Sequence, residues 1–274
     1  MPELPEVETT RRGLEPHLAG RHIEAVTVRD PRLRWPVRED LPEFLAGRLI
    51  KSVARRAKYL LLLLDRGDRV LIHLGMSGSL RLDDPASPFR KHDHVEWLLD
   101  SGQALRLHDP RRFGAVLTDR VDTPHVRLAA LGPEPLDPAF DGDYLAERLA
   151  GRRVAIKQAV MNAAIVVGVG NIYASEALFI AGIHPQRPAG SLDHEECAAL
   201  AAAIRQVLEA AIAQGGTTLR DFLSPSGDPG YFRQTLNVYE RTGEPCRRCG
   251  TPVERLVIGQ RSTWFCPNCQ PKDG

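Results

Sequence analysis

The sequence has no long apolar run: no stretch of its 274 residues approaches the ~18 consecutive apolar residues that a membrane-spanning helix needs. Its charged start, MPELPEVE, lacks the basic-then-apolar order of a secretory leader. A cytoplasmic protein is therefore expected. A strong net charge is missing as well. With 36 Lys and Arg against 35 Asp and Glu the balance is +1, so there is no global polycation, although local distribution matters more than the sum. No internal repeat is present, which sets solenoids and propellers aside. Cysteine is scarce and odd in number, at five, which argues against a secreted disulfide scaffold.

What is present changes texture along the chain. At 43% hydrophobic residues the chain can build ordinary cores, and its length allows two domains. A helical pattern runs from Glu6 to Leu18, with Pro16 as a possible bend. Short β-like runs follow: HIEAVTV, LIKSVARRAKYLLLLL, RVLIHLGMSGSL, HVEWLLD, QALRLHD and FGAVLTD. Gly, Asp and Pro punctuate them, as in a sandwich or barrel. The run Tyr59 to Leu64 is continuously apolar, which reads as a strand buried on both faces or a short buried helix. After LGPEPLDPAF the pattern turns helical, through YLAERLAGR, VAIKQAVMNAA, NIYASEALFIAG and an Ala-rich stretch over 193–214. The fold class expected is α+β with segregated domains. The Pro-rich 133–138 is the expected boundary. It divides a β domain over 1–132 from a helical domain over 139–223, with a linking loop at 224–236 and a small cysteine-bearing module at 237–271.

The cysteine module is the most specific local signal. Cys246-x-x-Cys249 and Cys266-x-x-Cys269 flank a gap of 16 residues, within the spacing of zinc ribbons. Each CxxC turn presents two thiolates from one knuckle, and two knuckles complete a tetrahedral cage with no open position. One structural Zn2+ is expected. VERLVI and STWF between the knuckles can form a hairpin carrying Arg261, which is either a phosphate contact on a rigid support or a solvated charge. Cys197, in a helical stretch, reads as a small buried hydrophobe. The last 34 residues carry six basic against three acidic side chains, and 51–58 holds Lys51, Arg55, Arg56 and Lys58 with no acid.

The start, PELPEV, has two readings. Pro5, Glu6 and Glu8 suit the first turn of a helix. Alternatively, removal of Met1 makes Pro2 a free secondary amine beside the carboxylate of Glu3.

Taken together and in order, PELPEVET, RRAKYLLL, HLGMSGSLR, KHDHVEW, HDPRRFG, LGPEPL, VVGVGNIYASEALF, AGIHP, GGTTLRDF and the four-cysteine finger resemble formamidopyrimidine-DNA glycosylase, the bacterial repair family for oxidised purines. The resemblance covers nearly the whole chain, from Pro2 to about Gln270. Leu4, where the related endonuclease VIII enzymes typically have glycine, favours the purine branch. The resemblance implies an N-terminal β-sandwich, a C-terminal helical domain over 139–223 whose segment 157–181 forms the helix–two-turns–helix, and a zinc hairpin. It implies a bifunctional glycosylase and abasic-site lyase, a monomer acting on damaged duplex DNA. The Pro2 amine would be the nucleophile, Glu3 the acid, Lys58 the β-elimination residue and phosphate contact, and Arg261 the δ-elimination residue. Glu6 would hold the site or simply oppose the helix dipole. Met76, Arg111 and Phe113 would fill the hole left by the everted nucleotide, although Met76 and Phe113 by themselves also read as core. His92, Arg111, Arg152 and Asn171 would contact the duplex backbone, and Thr217–Tyr231 would cover the flipped base or merely link domains. The chain departs from the family at Asn162, where a carboxylate is usual, and at Gln158, which puts fine positioning of that turn in doubt. Two rivals stand beside this reading: an endonuclease VIII-type oxidised-pyrimidine enzyme, and a zinc-finger DNA-binding protein without catalysis.

Overall fold

The computed structural model describes residues 2–215 and 236–272. The loop expected over 217–231, and all but the last residue of 224–236, lie outside the described residues. Contacts divide the chain into two compact units. One carries the chain to Ala129; the other joins Ala130–Ala213 to the chain from Leu236 onward.

The first unit opens with α1 (Leu4–Leu18), started by Pro5 in its first turn. The Glu6 carboxylate accepts the backbone N–H of Glu3 at 2.7 Å, satisfying an amide that a helix start leaves unpartnered. Leu4, Val7, Leu14 and Leu18 form its buried stripe at helical spacing. Pro16 falls in the last turn and does not end the helix, which closes when the Ala19 N–H meets the Glu15 carbonyl at 3.0 Å.

There follow β1 (Arg21–Val28), α2 (Leu41–Leu45), β2 (Leu49–Arg56), β3 (Tyr59–Leu64), β4 (Asp68–His73), β5 (Ser79–Asp83), β6 (Asp93–Leu99), β7 (Ala104–His108), β8 (Ala115–Arg120) and the short α3 (Val126–Ala129). The eight strands run β5-β7-β6-β1-β2-β3-β4-β8, each pair antiparallel. Strand β1 is the fold line. Arg21 and His22 pair with β2, whereas Ile23–Val28 pair with β6 across a register shift that bends the strand. One apolar cluster takes Ile50, Leu60, Leu62 and Ile72 from one half and Val95, Trp97 and Leu105 from the other, with Val7 and Leu14 of α1. The two halves thus share a sandwich core.

The all-apolar β3 is buried on both faces only in part. Leu60, Leu62 and Leu64 enter the core and Leu61 is covered on the opposite side, but Tyr59 and Leu63 are half-buried. Among the described residues the other side of the strand is only partly covered.

The second unit contains α4 (Gly142–Leu149), α5 (Ile156–Val160), α6 (Asn171–Ala181) and α7 (His194–Ala213), then the hairpin of β9 (Glu254–Ile258) and β10 (Arg261–Phe265). Asp141 caps α4 by accepting the Tyr144 N–H at 2.8 Å. Helix α6 is buried from Ile172 to Phe179 and ends at Gly182 in the left-handed conformation (φ 72°). Its Glu176 carboxylate accepts the backbone N–H groups of Asn237, Val238 and Tyr239 at 2.8–3.0 Å, pinning the returning chain. Cys197 is buried in α7, as a small hydrophobe would be. No helix among the described residues is long and apolar enough to cross a membrane.

Candidate functional site

In the first unit, two positions expected to carry chemistry lie at element ends. Pro2 and Glu3 are buried at the start of α1, where the bond from the Glu3 amide to Glu6 fixes the backbone. Lys58 occupies the two-residue turn between β2 and β3, flanked by the Arg56–Tyr59 pair. Its neighbour Ala57 has φ 54°, a left-handed conformation that costs a non-glycine residue strain, and such strain persists only where surrounding structure over-determines it. Arg55 ties the two places together. Its Nε donates to Glu8 of α1 at 3.1 Å, and its Nη1 donates to the Ala57 carbonyl at 3.0 Å. Burial alone would raise the Glu8 carboxyl; hydrogen bonds from Arg11 and Arg12 and the charges of Arg11 and Arg55 outweigh it and hold the group below its ordinary pKa.

His73, which the sequence reading passed over, belongs to this group. It pairs with Tyr59 across β3 and β4, and the rings stand 4.9 Å apart. Burial, then the positive charges of Lys58 and Arg34, push its pKa down to about 4. Its Nδ1 accepts the Gly75 N–H at 2.9 Å, which leaves Nε2 to carry the proton of the neutral ring.

Two neighbouring loops carry Met76, Arg111 and Phe113. Met76 and Phe113 are 38% and 42% exposed, so neither is core. The Arg111 guanidinium lies 5.0 Å from the centroid of the Phe113 ring, and Arg112 between them is at φ 56°. Backbone meets backbone where the loops touch: a Cβ on Gly75 would stand 2.4 Å from the Phe113 carbonyl carbon, so only glycine fits. The buried carboxylate of Asp109 accepts the Gly114 N–H at 2.7 Å and, from the other loop, the Ser77 hydroxyl at 3.4 Å. The Asp109 N–H donates to the His92 carbonyl at 2.9 Å, and the Asp109 carbonyl meets His94 Nε2 at 2.8 Å. His92 is thereby joined to the Arg111 loop. What burial it has and the nearby charge of Lys91, with His108 and His94, lower its pKa.

In the second unit, Asn171 begins α6 and Arg261 begins β10, and one carbonyl connects them. The Ser262 oxygen accepts Asn171 Nδ2 at 3.0 Å and the buried Lys157 Nζ at 3.2 Å; Lys157 also donates to Thr263 Oγ1 at 2.8 Å. Arg261 follows a tight turn in which Gly259 (φ 53°) and Gln260 (φ 63°) both adopt the left-handed conformation of a twisted two-residue hairpin. Asn162 Oδ1 accepts the Ala164 N–H at 3.0 Å, so the turn keeps a side-chain bond although the usual carboxylate is missing. Gln158 lies against the hairpin turn, its amide nitrogen 2.7 Å from where a Gly259 Cβ would stand. Arg152 stands apart from this group, past the end of α4, where its Nε donates to the Arg148 carbonyl at 2.6 Å.

The Sγ atoms of Cys246, Cys249, Cys266 and Cys269 all lie within 4.8 Å of one another. Tetrahedral zinc with thiolate bonds of about 2.3 Å needs sulfurs about 3.8 Å apart, and the pairs Cys246–Cys269 and Cys249–Cys266 stand at 4.0 and 3.5 Å. Backbone N–H groups of Arg248 and Cys269 point at Cys246 and Cys266 sulfurs, each at 3.4 Å, as a knuckle holding negative sulfur requires. The donor set fits one structural zinc and leaves no position open for substrate.

Comparison with known proteins agrees along the whole chain. Family models match at residues 1–116 (Formamidopyrimidine-DNA glycosylase N-terminal domain), 131–223 (Formamidopyrimidine-DNA glycosylase H2TH domain) and 243–272 (Zinc finger found in FPG and IleRS). A formamidopyrimidine-DNA glycosylase of Thioalkalivibrio sulfidiphilus is 62% identical over 273 residues, covering 98% of this chain and 100% of its own. The crystal structure of the MutM (Fpg) protein from Thermus thermophilus matches with a TM-score of 0.89 at 42% identity, with both chains covered in full. A Lactococcus lactis Fpg (MutM) structure, in complex with DNA containing Fapy-dG, matches at 0.90 and 34% identity, covering 98% of this chain and 100% of that one.

Proposed function

Because the chain belongs to the formamidopyrimidine-DNA glycosylase family, we propose that it excises oxidised purines, 8-oxoguanine and formamidopyrimidines, from duplex DNA and then cuts the strand as an abasic-site lyase. The observation that carries this reading is the construction at the start of α1. A proline precedes a glutamate whose amide is locked by Glu6, and Arg55 links that helix to the strained turn bearing Lys58. A binding module needs neither Pro2, Glu3 nor Lys58, whereas a Schiff-base enzyme needs an amine that can attack a sugar carbon.

With Met1 removed, the Pro2 nitrogen attacks C1′ of the damaged nucleotide. The glycosidic bond breaks with its electron pair going to the base, and Glu3 supplies a proton as the base leaves or the sugar ring opens. An α-amino group has a pKa of about 7.7–8.0 against about 10.4 for lysine, so more of it is unprotonated near neutrality. The nitrogen gives up its N–H proton and its lone pair expels O4′ from C1′, opening the sugar ring to an iminium; the iminium draws electrons from the C2′–H bond, a proton leaves C2′, and the C3′–O bond breaks to release the 3′ phosphate. A second elimination, assisted by Arg261, releases the 5′ phosphate. Lys58 steadies the phosphate at the lesion. Met76, Arg111 and Phe113 enter the duplex as one block, offsetting an unstacking cost of a few kcal/mol. His92, Arg152 and Asn171 hold the backbone, and the protein works as a monomer.

Borohydride reduction on an 8-oxoguanine duplex tests the reading. The processed protein is expected to give a covalent protein–DNA adduct, whereas protein retaining Met1 binds the duplex and yields neither adduct nor cut. Absence of an adduct from protein whose N-terminus is Pro2 by mass spectrometry leaves only the non-catalytic binder. Faster cutting of thymine glycol than of 8-oxoguanine moves the assignment to the oxidised-pyrimidine branch.

A further inference from the structure

In the first unit, carboxylates engage most arginines: Arg48 meets Asp65 and Asp68, Arg69 meets Asp119, Arg81 meets Asp93, and Arg106 meets Glu96. Arg34 and Arg127 are different. The Arg127 guanidinium carbon stands 3.4 Å from the centroid of a Trp35 ring and that of Arg34 stands 4.9 Å away, so two cations share one indole. Among the described residues neither has a carboxylate at ion-pair distance. Asp119 is held by Arg69 and the His125 N–H, and Asp30 by Arg32 and Arg112. Stacking uses the flat face of a guanidinium and leaves its N–H edge free, which is the geometry that meets a phosphate with two parallel bonds.

The place of this cluster is as telling as its charge. The Arg34 N–H donates to the Gly114 carbonyl at 3.0 Å, next to the exposed Phe113. The charges of both Lys58 and Arg34 act on His73, and those of Arg127 and Arg34 act on Tyr59, the residue after Lys58. The two arginines therefore lie between the loop that carries Phe113 and the turn that carries Lys58. Two like charges gathered on one side chain repel unless an anion comes between or beside them.

We propose that Arg34 and Arg127, held against Trp35, form a further phosphate subsite that grips the sugar–phosphate backbone of the DNA strand between the void-filling loop and the Lys58 turn. The proposal rests on the reading of the protein as a DNA-repair enzyme and adds a contact that reading does not need.

Salt dependence of binding tests it, on a duplex carrying a tetrahydrofuran abasic analogue. Each phosphate neutralised contributes a slope of about −0.9 to log K against log salt, so the double substitution Arg34→Gln, Arg127→Gln is expected to flatten the slope by about 2. Each doubling of salt then costs wild type about three- to four-fold more affinity than it costs the double variant. Arg34→Lys with Arg127→Lys keeps the charges and is expected to keep the slope. Arg66→Ala, in the turn at the opposite end of β3, removes one charge and is expected to leave it unchanged. An unchanged slope in the glutamine variant, or an equal loss in the lysine variant, overturns the subsite. Failure of the enzymatic reading shows separately, as absence of the borohydride adduct with wild-type protein.

Discussion

In the sheet unit, Met76, Arg111 and Phe113 stand on loops rooted in a continuous apolar core that draws on both halves of a folded eight-stranded sheet. In the C-terminal hairpin, Arg261 stands on two five-residue strands whose apolar cluster is small: Phe179, Val238, Cys246, Val253 and Cys266, two of them metal ligands. The larger core can hold Ala57 and Arg112 in left-handed conformations and keep the Asp109 carboxylate buried. The hairpin's own apolar cluster is small, and coordination chemistry supplies rigidity that packing does not.

The largest test of that contrast is removal of the metal. Structural zinc in small fingers is worth roughly 10–16 kcal/mol of apparent binding free energy, far beyond what the hairpin core supplies. Cys269→Ser or a strong chelator is expected to abolish hydrogen-exchange protection over β9 and β10 and to reduce strand cutting to background. Protection in β3 and β4 should stay at its wild-type level. Simultaneous loss of protection in both units would erase the distinction.

A smaller effect is expected inside the sheet unit. Asp109→Ala leaves the Gly114 amide and the Ser77 hydroxyl without their acceptor, which costs about 3 kcal/mol for bonds to a buried charge. Denaturant unfolding should register that loss, and Asp109→Asn, which keeps one acceptor, should recover part of it. The alanine variant should also lose affinity for lesion-bearing duplex more than for undamaged duplex, because the two void-filling loops no longer move together. If both variants match wild type within about 0.5 kcal/mol, the apolar core alone holds the loops.

The smallest concerns His73. Its native pKa of about 4 lies below the ordinary 6.5, so as pH falls the unfolded chain takes up the proton first. Its contribution is intact above about pH 6.5 and is lost progressively from there down to about 4. Between pH 7 and pH 5 this amounts to about 2 kcal/mol, and His73→Gln is expected to be less sensitive by that amount in urea titrations at the two pH values. Equal pH sensitivity of variant and parent would show that His73 is not held neutral by its surroundings.

Features carried by neighbouring residues were legible in the sequence. The two CxxC knuckles, the helix start at PELPEV, the turn-punctuated strands and the helix after GVGN all depend on spacing within about 20 residues. The alternatives left open for Met76 and Phe113, core or surface loop, could not be resolved that way, because an apolar side chain looks the same in either place. Their exposure comes from the close approach of Gly75 to Phe113, 38 positions apart in the chain. His73 was missed for a related reason. In HLGMSG it reads as one more strand residue, and only pairing with Tyr59 brings it beside Lys58. Asp109 gave no signal beyond that of a turn residue before Pro110, and Arg55 looked like one charge in a basic run.

By itself the sequence determined the chemistry available: a proline after Met1 beside a glutamate, a lysine ending a basic run before an apolar strand, four thiols at zinc spacing and an arginine in the hairpin between them. These are local properties, set by covalent neighbours and by the short reach of turns and caps. Tertiary structure decided which segments meet within each unit. Arg55 joins Glu8 to Ala57, Asp109 joins the Ser77 and Gly114 loops, and the Ser262 carbonyl joins Lys157 to Asn171. Each join brings segments distant in the chain together through buried or half-buried polar bonds, and the partners are chosen by where the apolar core leaves a donor and an acceptor facing each other without water.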